Sequence, residues 1–426
     1  MISNLNGNFG FLNKPKFKLA SNVYMPKGLY EKVCYSENLF TIGNNKPSVN
    51  GGGISFFEEE AEISALGEYI ERYSSSFQIN KGLIFGSYNN LFTKEECFEP
   101  RKINYFRDSQ YNDKNFKLKR LDNDSNTYWI KCKNYLNDSE ILLPFFMTNV
   151  ENIEGDGLHH INTTTGTATH TTINRAIESG LLECIERDAF SKFWYFQKDK
   201  KHKKYSKELI LKTFPNDEIV LKLFNTNKIR FVVFDIGIHS FSPTFVVIIY
   251  FKKKNKIFQS IGSASRLNQR DALIKACIEA YQGIEYIELV CEENSKVINP
   301  EEVLDFDFSN ITSFRKHYAL YNLFPELRIH VPIFHEAESD DNFSDNFILN
   351  YTHHIESIEK NELTKKGLDE IYYTNLTTID IKQLGFEVVK VITPKLSLLT
   401  GNFNYPYLGL FDENIELFTK FPHPFP

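Results

Sequence analysis

The sequence predicts an α+β protein in which helices pack against mixed sheets, on three observations. Three long helical segments are spaced through the chain, a strand pair lies between the second and third, and short helix and strand signals alternate near the end. At 426 residues the chain can bury an enzyme-sized core. Hydrophobic residues make up 42% and charged residues 24%, ordinary values for a soluble fold, and the formal charge of −6 gives no basic footprint for nucleic acid.

An irregular opening, residues 1–50, is read as an N-terminal segment, with one larger domain from 51 to 426. Gly51, Gly52 and Gly53 punctuate the chain before the first helix, FFEEEAEISALGEYIERYSSS (56–76). A Thr-rich loop, NTTTGTATHTT (162–172), runs into the second, INRAIESGLLECIERDAFSKFWYF (173–196). The strand pair follows, IRFVVFDIG (229–237) and FSPTFVVIIYFKKK (241–254). Phe245 to Phe251, the most apolar run, reads as a buried strand. After QSIGSASR (259–266) comes the third helix, RDALIKACIEAYQGIEYIELV (270–290). Residues 299–338 are ambiguous, and ESDDNFSD (338–345) has the composition of an exposed loop. Residues 371–396 alternate short helix and strand, and no composition break marks a second independent domain.

No apolar stretch reaches membrane-spanning length, and the start has no signal-peptide core. Cys34, Cys97, Cys132, Cys184, Cys277 and Cys291 form no C-x-x-C pair, which argues against a zinc site or disulfide framework and fits a reducing cytoplasm. Neither a Walker A loop nor a G-x-G-x-x-G fingerprint occurs, nor a G-x-S-x-G nucleophile motif. His159-His160 and His353-His354 lack a helical i, i+4 partner and read as surface or packing histidines.

The chemistry lies in the helices. LGEYIER (from Leu66) aligns with LLECIER (from Leu181), superposing Glu68 on Glu183 and Glu71 on Glu186. Residues three and four apart share a helix face, so each motif sets two like charges side by side. On the first helix Ser64, Glu68 and Glu71 form a stripe opposite Ile63, Leu66, Ile70 and Tyr73, a pattern that a solvated face also explains. The second helix is apolar nearly all round, so its carboxylates are expected to be buried and to need cations, donors or protonation. The third places Lys275, Glu279 and Gln282 on one stripe in apolar company.

Buried salt bridges among Arg72, Arg187, Lys275 and the glutamates are one reading. If the helices converge, however, five glutamates outnumber three cations, and a divalent metal would balance the excess. Hard oxygen ligands suit Mg²⁺ arriving with phosphates, hence an ATP·Mg²⁺ site with Arg187 and Lys275 as phosphate partners.

These residues resemble the YcaO family. The likeness rests on S-A-L-G-E-Y-I-E-R-Y (Ser64 to Tyr73), T-T-G-T-A (Thr164 to Ala168), G-L-L-E-C-I-E-R-D-A (Gly180 to Ala189), K-A-C-I-E-A-Y-Q (Lys275 to Gln282) and the late segment Asn375 to Pro394. It covers the chain from about Gly51 onward. The resemblance implies the YcaO-type fold, with mixed sheets and helices around an ATP·Mg²⁺ site. It implies Glu68, Glu71, Glu183, Glu186 and Glu279 as metal ligands. Ser64, Thr164 and Gln282 become nucleotide-site residues and Arg187 a phosphate contact. The ending Pro422-His423-Pro424-Phe425-Pro426 resembles the P-x-P-x-P terminus of azoline-forming members, whose alternating prolines stiffen an extended tail. Lys275 stands where many members carry Arg, and His170 where Gly is frequent; Lys binds phosphate as a point charge without a bidentate fork.

By the same resemblance the expected activity is ATP-dependent cyclodehydration of a ribosomally made precursor peptide, as in bacteriocin and microcin biosynthesis. A Cys, Ser or Thr side chain attacks the preceding carbonyl, the oxyanion takes the γ-phosphoryl group, and phosphate leaves to give thiazoline or oxazoline. Arg187 and Lys275 neutralise charge, and the terminal carboxylate of Pro426 is the candidate base. Residues 1–50 are short for a leader-binding domain, so the resemblance implies a separate E1-like (ThiF-like) partner that holds the leader. It also admits an FMN-dependent dehydrogenase that oxidises azolines, and a homodimer. Thioamide or amidine formation, and a non-catalytic nucleotide-binding scaffold, are the alternatives.

Overall fold

A computed structural model describes residues 16–19, 22–36, 39, 48–77, 82–148, 159–196, 203–253, 255–338, 343–347 and 357–425. Thirteen strands form three antiparallel sheets among these residues. The smallest joins β1 (Lys16–Leu19), β2 (Tyr30–Tyr35) and β3 (Asn50–Ser55) in that order. A six-stranded sheet contains β4 (Ile84–Gly86), β5 (Thr127–Asn134), β6 (Glu140–Pro144), β7 (Thr167–His170), β12 (Tyr372–Asn375) and β13 (Glu387–Ile392). Its order is β4-β5-β12-β13-β7, with β6 on β5. The third, β11-β10-β9-β8, comprises β8 (Lys203–Tyr205), β9 (Ile229–Asp235), β10 (Thr244–Lys253) and β11 (Lys256–Ser265).

Three long helices carry the predicted motifs. They are α1 (Glu58–Ser76), α4 (Ile173–Tyr195) and α7 (Gln269–Asn294). Short helices fill the spaces between: α2 (Tyr88–Leu91), α3 (Asp108–Tyr111), α5 (Lys207–Thr213), α6 (Glu218–Phe224), α8 (Pro300–Leu304), α9 (Phe314–Leu323), α10 (Pro332–Glu338), α11 (Lys360–Lys365) and α12 (Ile379–Gln383). Residues 299–338, ambiguous in sequence, are therefore largely helical.

Local chemistry explains the starts of the long helices. Glu58, Glu59 and Glu60 fill the first turn of α1, where carboxylates complement the helix dipole. Asn268 caps α7 by accepting the Asp271 N–H. The run Phe245 to Phe251 is fully buried in β10, hydrogen-bonded to β9 on one side and β11 on the other, as its unbroken apolarity predicts.

Each long helix follows a strand and lies back on it: β3 before α1, β7 before α4, β11 before α7. Two of these strands fall in segments that sequence patterning treats as punctuation or loop, namely the glycine triplet and the Thr-rich stretch. The third falls in QSIGSAS, which carries little strand character. Their composition reflects tight contact with the helices. A Cβ on Gly51 would stand 2.1 Å from the Ala65 carbonyl oxygen, one on Gly53 2.0 Å from that of Ala61, and one on Gly262 2.2 Å from that of Ala276. Because β2 hydrogen-bonds to β3, the segment before Gly51 contributes strands to the sheet on α1. The pattern also places Ile63 with the buried face, yet it is 53% exposed. The buried stripe of α1 runs instead through Ala61, Ala65, Leu66, Tyr69, Ile70 and Tyr73, because Ala61 and Ala65 face β3.

Candidate active site

The strand–helix joints aim the glutamates. Side chains alternate along β3, so Gly51 and Gly53 face α1 while Gly52 faces the opposite way. The Gly52 N–H donates to Glu68 Oε2 at 2.6 Å, and a Cβ placed on Gly52 would lie 3.5 Å from Gln282 Nε2 and 3.7 Å from Glu68 Oε2. This glycine therefore lies between Glu68 of α1 and Gln282 of α7. At the second joint Gly166 adopts φ +84° and donates its N–H to Glu183 Oε2 at 2.9 Å. It lies so close to β13 that a Cβ would stand 2.3 Å from the Val391 carbonyl oxygen. From the third joint the Ser265 N–H donates to Glu186 Oε2 at 3.2 Å, tying α4 to β11.

Helix α4 is buried nearly all round, as its sequence predicts, and Glu186 is only 6% exposed. Burial pushes the Glu186 carboxyl up to about 7, the charges of Glu279 and Glu183 add to this, and Arg187 and Arg266 pull the other way. Glu71 is pushed well above the usual carboxylate range, first by burial, then by Glu183 and Glu68, with Arg72 and Lys390 opposing. Each of the five predicted glutamates thus lies within electrostatic reach of at least one other, in a series from Glu68 through Glu71, Glu183 and Glu186 to Glu279.

Arg187 stands at the centre. It pairs with Glu186 (2.5 Å) and Glu183 (3.3 Å). Arg72 pairs with Glu68 (2.5 Å), and Lys275 with Glu279 (3.3 Å). Ser64 and Thr164 are exposed, and Gln282 is half-buried with its amide 3.5 Å from the Tyr286 hydroxyl.

Among the described residues no three His, Cys, Asp or Glu groups form a ready-made metal cage. The donor set nevertheless fits Mg²⁺ brought by a polyphosphate, which needs one or two carboxylates and completes its shell with phosphate oxygens. Two carboxyls, Glu71 and Glu186, held against ionisation first by burial and then by their neighbours' negative charge, are groups that a divalent ion would relieve.

The segment leading to Phe425 is no solvent tail. Its carbonyls accept from buried side chains: Phe421 O from Trp194 Nε1 (2.9 Å), Pro422 O from the Tyr321 hydroxyl (2.5 Å) and His423 O from His317 Nδ1 (2.8 Å). The Phe425 ring packs on Phe190 and lies beneath the Arg187 guanidinium, 4.3 Å from ring centroid to the guanidinium carbon. Pro426 lies outside the described residues, as do His353 and His354.

Sequence reasoning missed two cations and a hydrophobic plate here. The plate is Phe425. Arg266 follows β11 and acts electrostatically on Glu186. Lys390 is buried on β13 and donates to Thr163 O (2.6 Å) and Thr165 O (2.7 Å). A lysine inside the apolar run VVKVI was the available signal, since a charge at such a position must have buried partners. His160 and His317 are packing histidines, and burial pushes them down to about 3 and about 4 respectively. All six cysteines are free, and no helix among the described residues is long and apolar enough to cross a membrane.

Comparison with known proteins gives a family and several similar folds. A family model described as YcaO cyclodehydratase, ATP- and Mg²⁺-binding, matches residues 51–397. Among solved structures, a heterocyclase in complex with substrate and cofactor is similar at 18% identity and TM-score 0.69, over 98% of this chain and 55% of that one. The chain thus spans about half the length of that relative. The E. coli microcin synthetase McbBCD complex is similar at 18% identity and TM-score 0.59, over 97% of this chain and 96% of that one. A YcaO protein from Methanopyrus kandleri bound with AMPPCP and Mg²⁺ aligns at 13% identity and TM-score 0.55, over 95% and 90%. No curated protein matches the sequence.

Proposed function

The chain belongs to the YcaO cyclodehydratase family, whose members bind ATP and Mg²⁺, and from that premise we propose that it converts Cys, Ser or Thr of a ribosomally made peptide to thiazoline or oxazoline. The observation that carries this reading is the arrangement around Arg187, a half-buried cation shared by Glu183 and Glu186 and backed by the Phe425 ring.

Bound ATP·Mg²⁺ supplies the phosphoryl group that makes an amide oxygen able to leave. Glu68, Glu71, Glu183, Glu186 and Glu279 would supply the carboxylates for Mg²⁺, one or two to an ion, with Glu68 and Glu183 aimed by the Gly52 and Gly166 amides. Arg187 and Lys275 bind phosphate oxygens, each giving up part of its present ion pair. Gln282, Ser64 and Thr164 line the nucleotide. Preorganised charge and position are the protein's contribution to such a transfer. Phe425 restricts the Arg187 plane, so the final segment acts on the site through that guanidinium.

A leader-binding E1-like protein is the proposed partner, in keeping with the microcin synthetase, a complex that has also been solved with pro-MccB17 bound. The test is the intact mass of a precursor peptide after incubation with this chain, its partner, ATP and Mg²⁺. One water lost per ring, and none with Glu186→Gln, is the expected result. Full water loss with the variant, or precursor-independent ATP turnover without water loss, would overturn the assignment.

A further inference from the structure

Strand β13 is apolar on both faces, with Val388, Val389, Val391 and Ile392 all buried. Lys390 lies in the middle of it and is 3% exposed. An aliphatic residue would fill this position without the penalty of desolvating an ammonium, so the charge has to be explained by what it holds.

What it holds is the Thr-rich loop. The ammonium donates to Thr163 O at 2.6 Å and Thr165 O at 2.7 Å, and the neighbouring Val391 N–H donates to Gly166 O at 2.8 Å. A cavity of about 20 Å³, bordered by Tyr105, His160, Thr163, Thr165 and Thr393, adjoins Lys390 and has room for one water as a third partner. The loop is thus fastened to β13 at three carbonyls, those of Thr163, Thr165 and Gly166. Its other side carries the working parts. Thr164 is exposed between the two gripped carbonyls, and the Gly166 N–H holds Glu183.

We propose that Lys390 is a positioning residue of the nucleotide site, gripping the Thr163 and Thr165 carbonyls so that Thr164 and the Gly166 amide are preset for nucleotide and Glu183. The proposal rests on the reading of the carboxylate-lined cleft as the ATP·Mg²⁺ site. Lys390 touches no substrate itself. Burial pulls its ammonium down to about 8, and Cys184, Glu183 and Glu71 oppose that loss of charge.

Hydrogen exchange and nucleotide titration on the full chain test this. Lys390→Met matches the stem in size and removes the grip. Exchange in residues 161–170 should rise at least about tenfold while β10 is unchanged, and affinity for AMPPCP with Mg²⁺ should weaken by about tenfold or more. With the partner and precursor present, the KM for ATP should rise more than kcat falls. Lys390→Arg, which keeps charge and donors, should restore most of both readouts, and Lys390→Gln, which keeps a donor without charge, should fall between. Wild-type loop exchange and wild-type affinity in a folded Lys390→Met protein would overturn the proposal. If that variant does not fold, equal loop exchange and affinity in folded Lys390→Arg and Lys390→Gln would do so. Loop exchange needs no nucleotide, so failure of the wild type to bind AMPPCP would count against the site reading and leave Lys390 to be judged by exchange.

Discussion

The glycine triplet on β3 separates folding from function within three residues. In Gly51→Ala the new methyl would meet the Ala65 carbonyl oxygen at 2.1 Å and the Tyr69 nitrogen at 2.5 Å, and both are main-chain atoms of α1 that no rotamer change can move. Relief requires β3 to lift off α1 by about 1 Å, which forfeits a quarter to a half of each dispersion contact along the joint. Overpacking of this kind costs about 2–3 kcal/mol. Gly52→Ala is different, because its methyl would stand 3.5 Å from Gln282 Nε2 and 3.7 Å from Glu68 Oε2, at ordinary contact distance. Stability should then be unchanged, or raised by about 0.5 kcal/mol through the unfolded chain. That methyl occupies the space between two proposed nucleotide-site residues, so affinity for Mg²⁺-nucleotide should fall although the fold is intact. Denaturant melts and nucleotide titrations of the two variants check both halves. Equal stability of the two, or full affinity in Gly52→Ala, would refute the account of the joint.

Acid should weaken the fold through its buried histidines. His317 is neutral in the fold, pushed from 6.5 down to about 4 by burial, so only the unfolded chain takes up its proton as pH falls from 6.5. Stability should drop across that window by about 3 kcal/mol from this group, and His317→Asn should flatten the decline in melts at pH 7, 5.5 and 4. Phe425→Ala removes a buried ring from Phe190 and Arg187, a truncation worth about 3 kcal/mol or more. It should expose residues 421–425 to limited proteolysis and cut precursor-dependent ATP turnover at least about tenfold, and unchanged cleavage would count against Phe425 holding the final segment in place. Glu71 is raised, so the fold holds its proton above the unfolded chain's value and gains stability as pH falls toward that value, losing it again as pH rises through the folded one. Metal binding needs the carboxylate, hence Mg²⁺-nucleotide binding near neutral pH should release protons, seen calorimetrically as a dependence on buffer ionisation enthalpy that Glu71→Gln reduces.

The second and third motif helices were legible because burial and charge conflict in them, and the first because its LGEYIER repeats the second's LLECIER. Glu183 and Glu186 in an apolar helix, and Glu279 beside Lys275 in another, are costly unless they meet a cation, and the structure brings them together. The strands under those helices were not legible. Gly51 to Gly53 and Gln259 to Ser265 carry little of the β-branched signal of β10, because their residues are chosen for close approach to a helix and for amide donors, and Thr167 to His170, although half threonine, is only four residues long within a Thr-rich stretch that reads as loop. Residues 299–338 resisted reading because α8 and α10 span only five and seven residues, too few to sustain a period. Lys390 and Phe425 were missed for another reason: each acts through a residue distant in sequence, the Thr163–Gly166 loop in one case and Arg187 in the other.

Titration of AMPPCP into the purified chain, with Mg²⁺ and with EDTA, tests most directly whether the converging glutamates form the nucleotide site. The account predicts saturable binding that requires Mg²⁺ and is lost in Glu186→Gln, with the variant still folded. Binding of equal strength in EDTA, or in the variant, would contradict it.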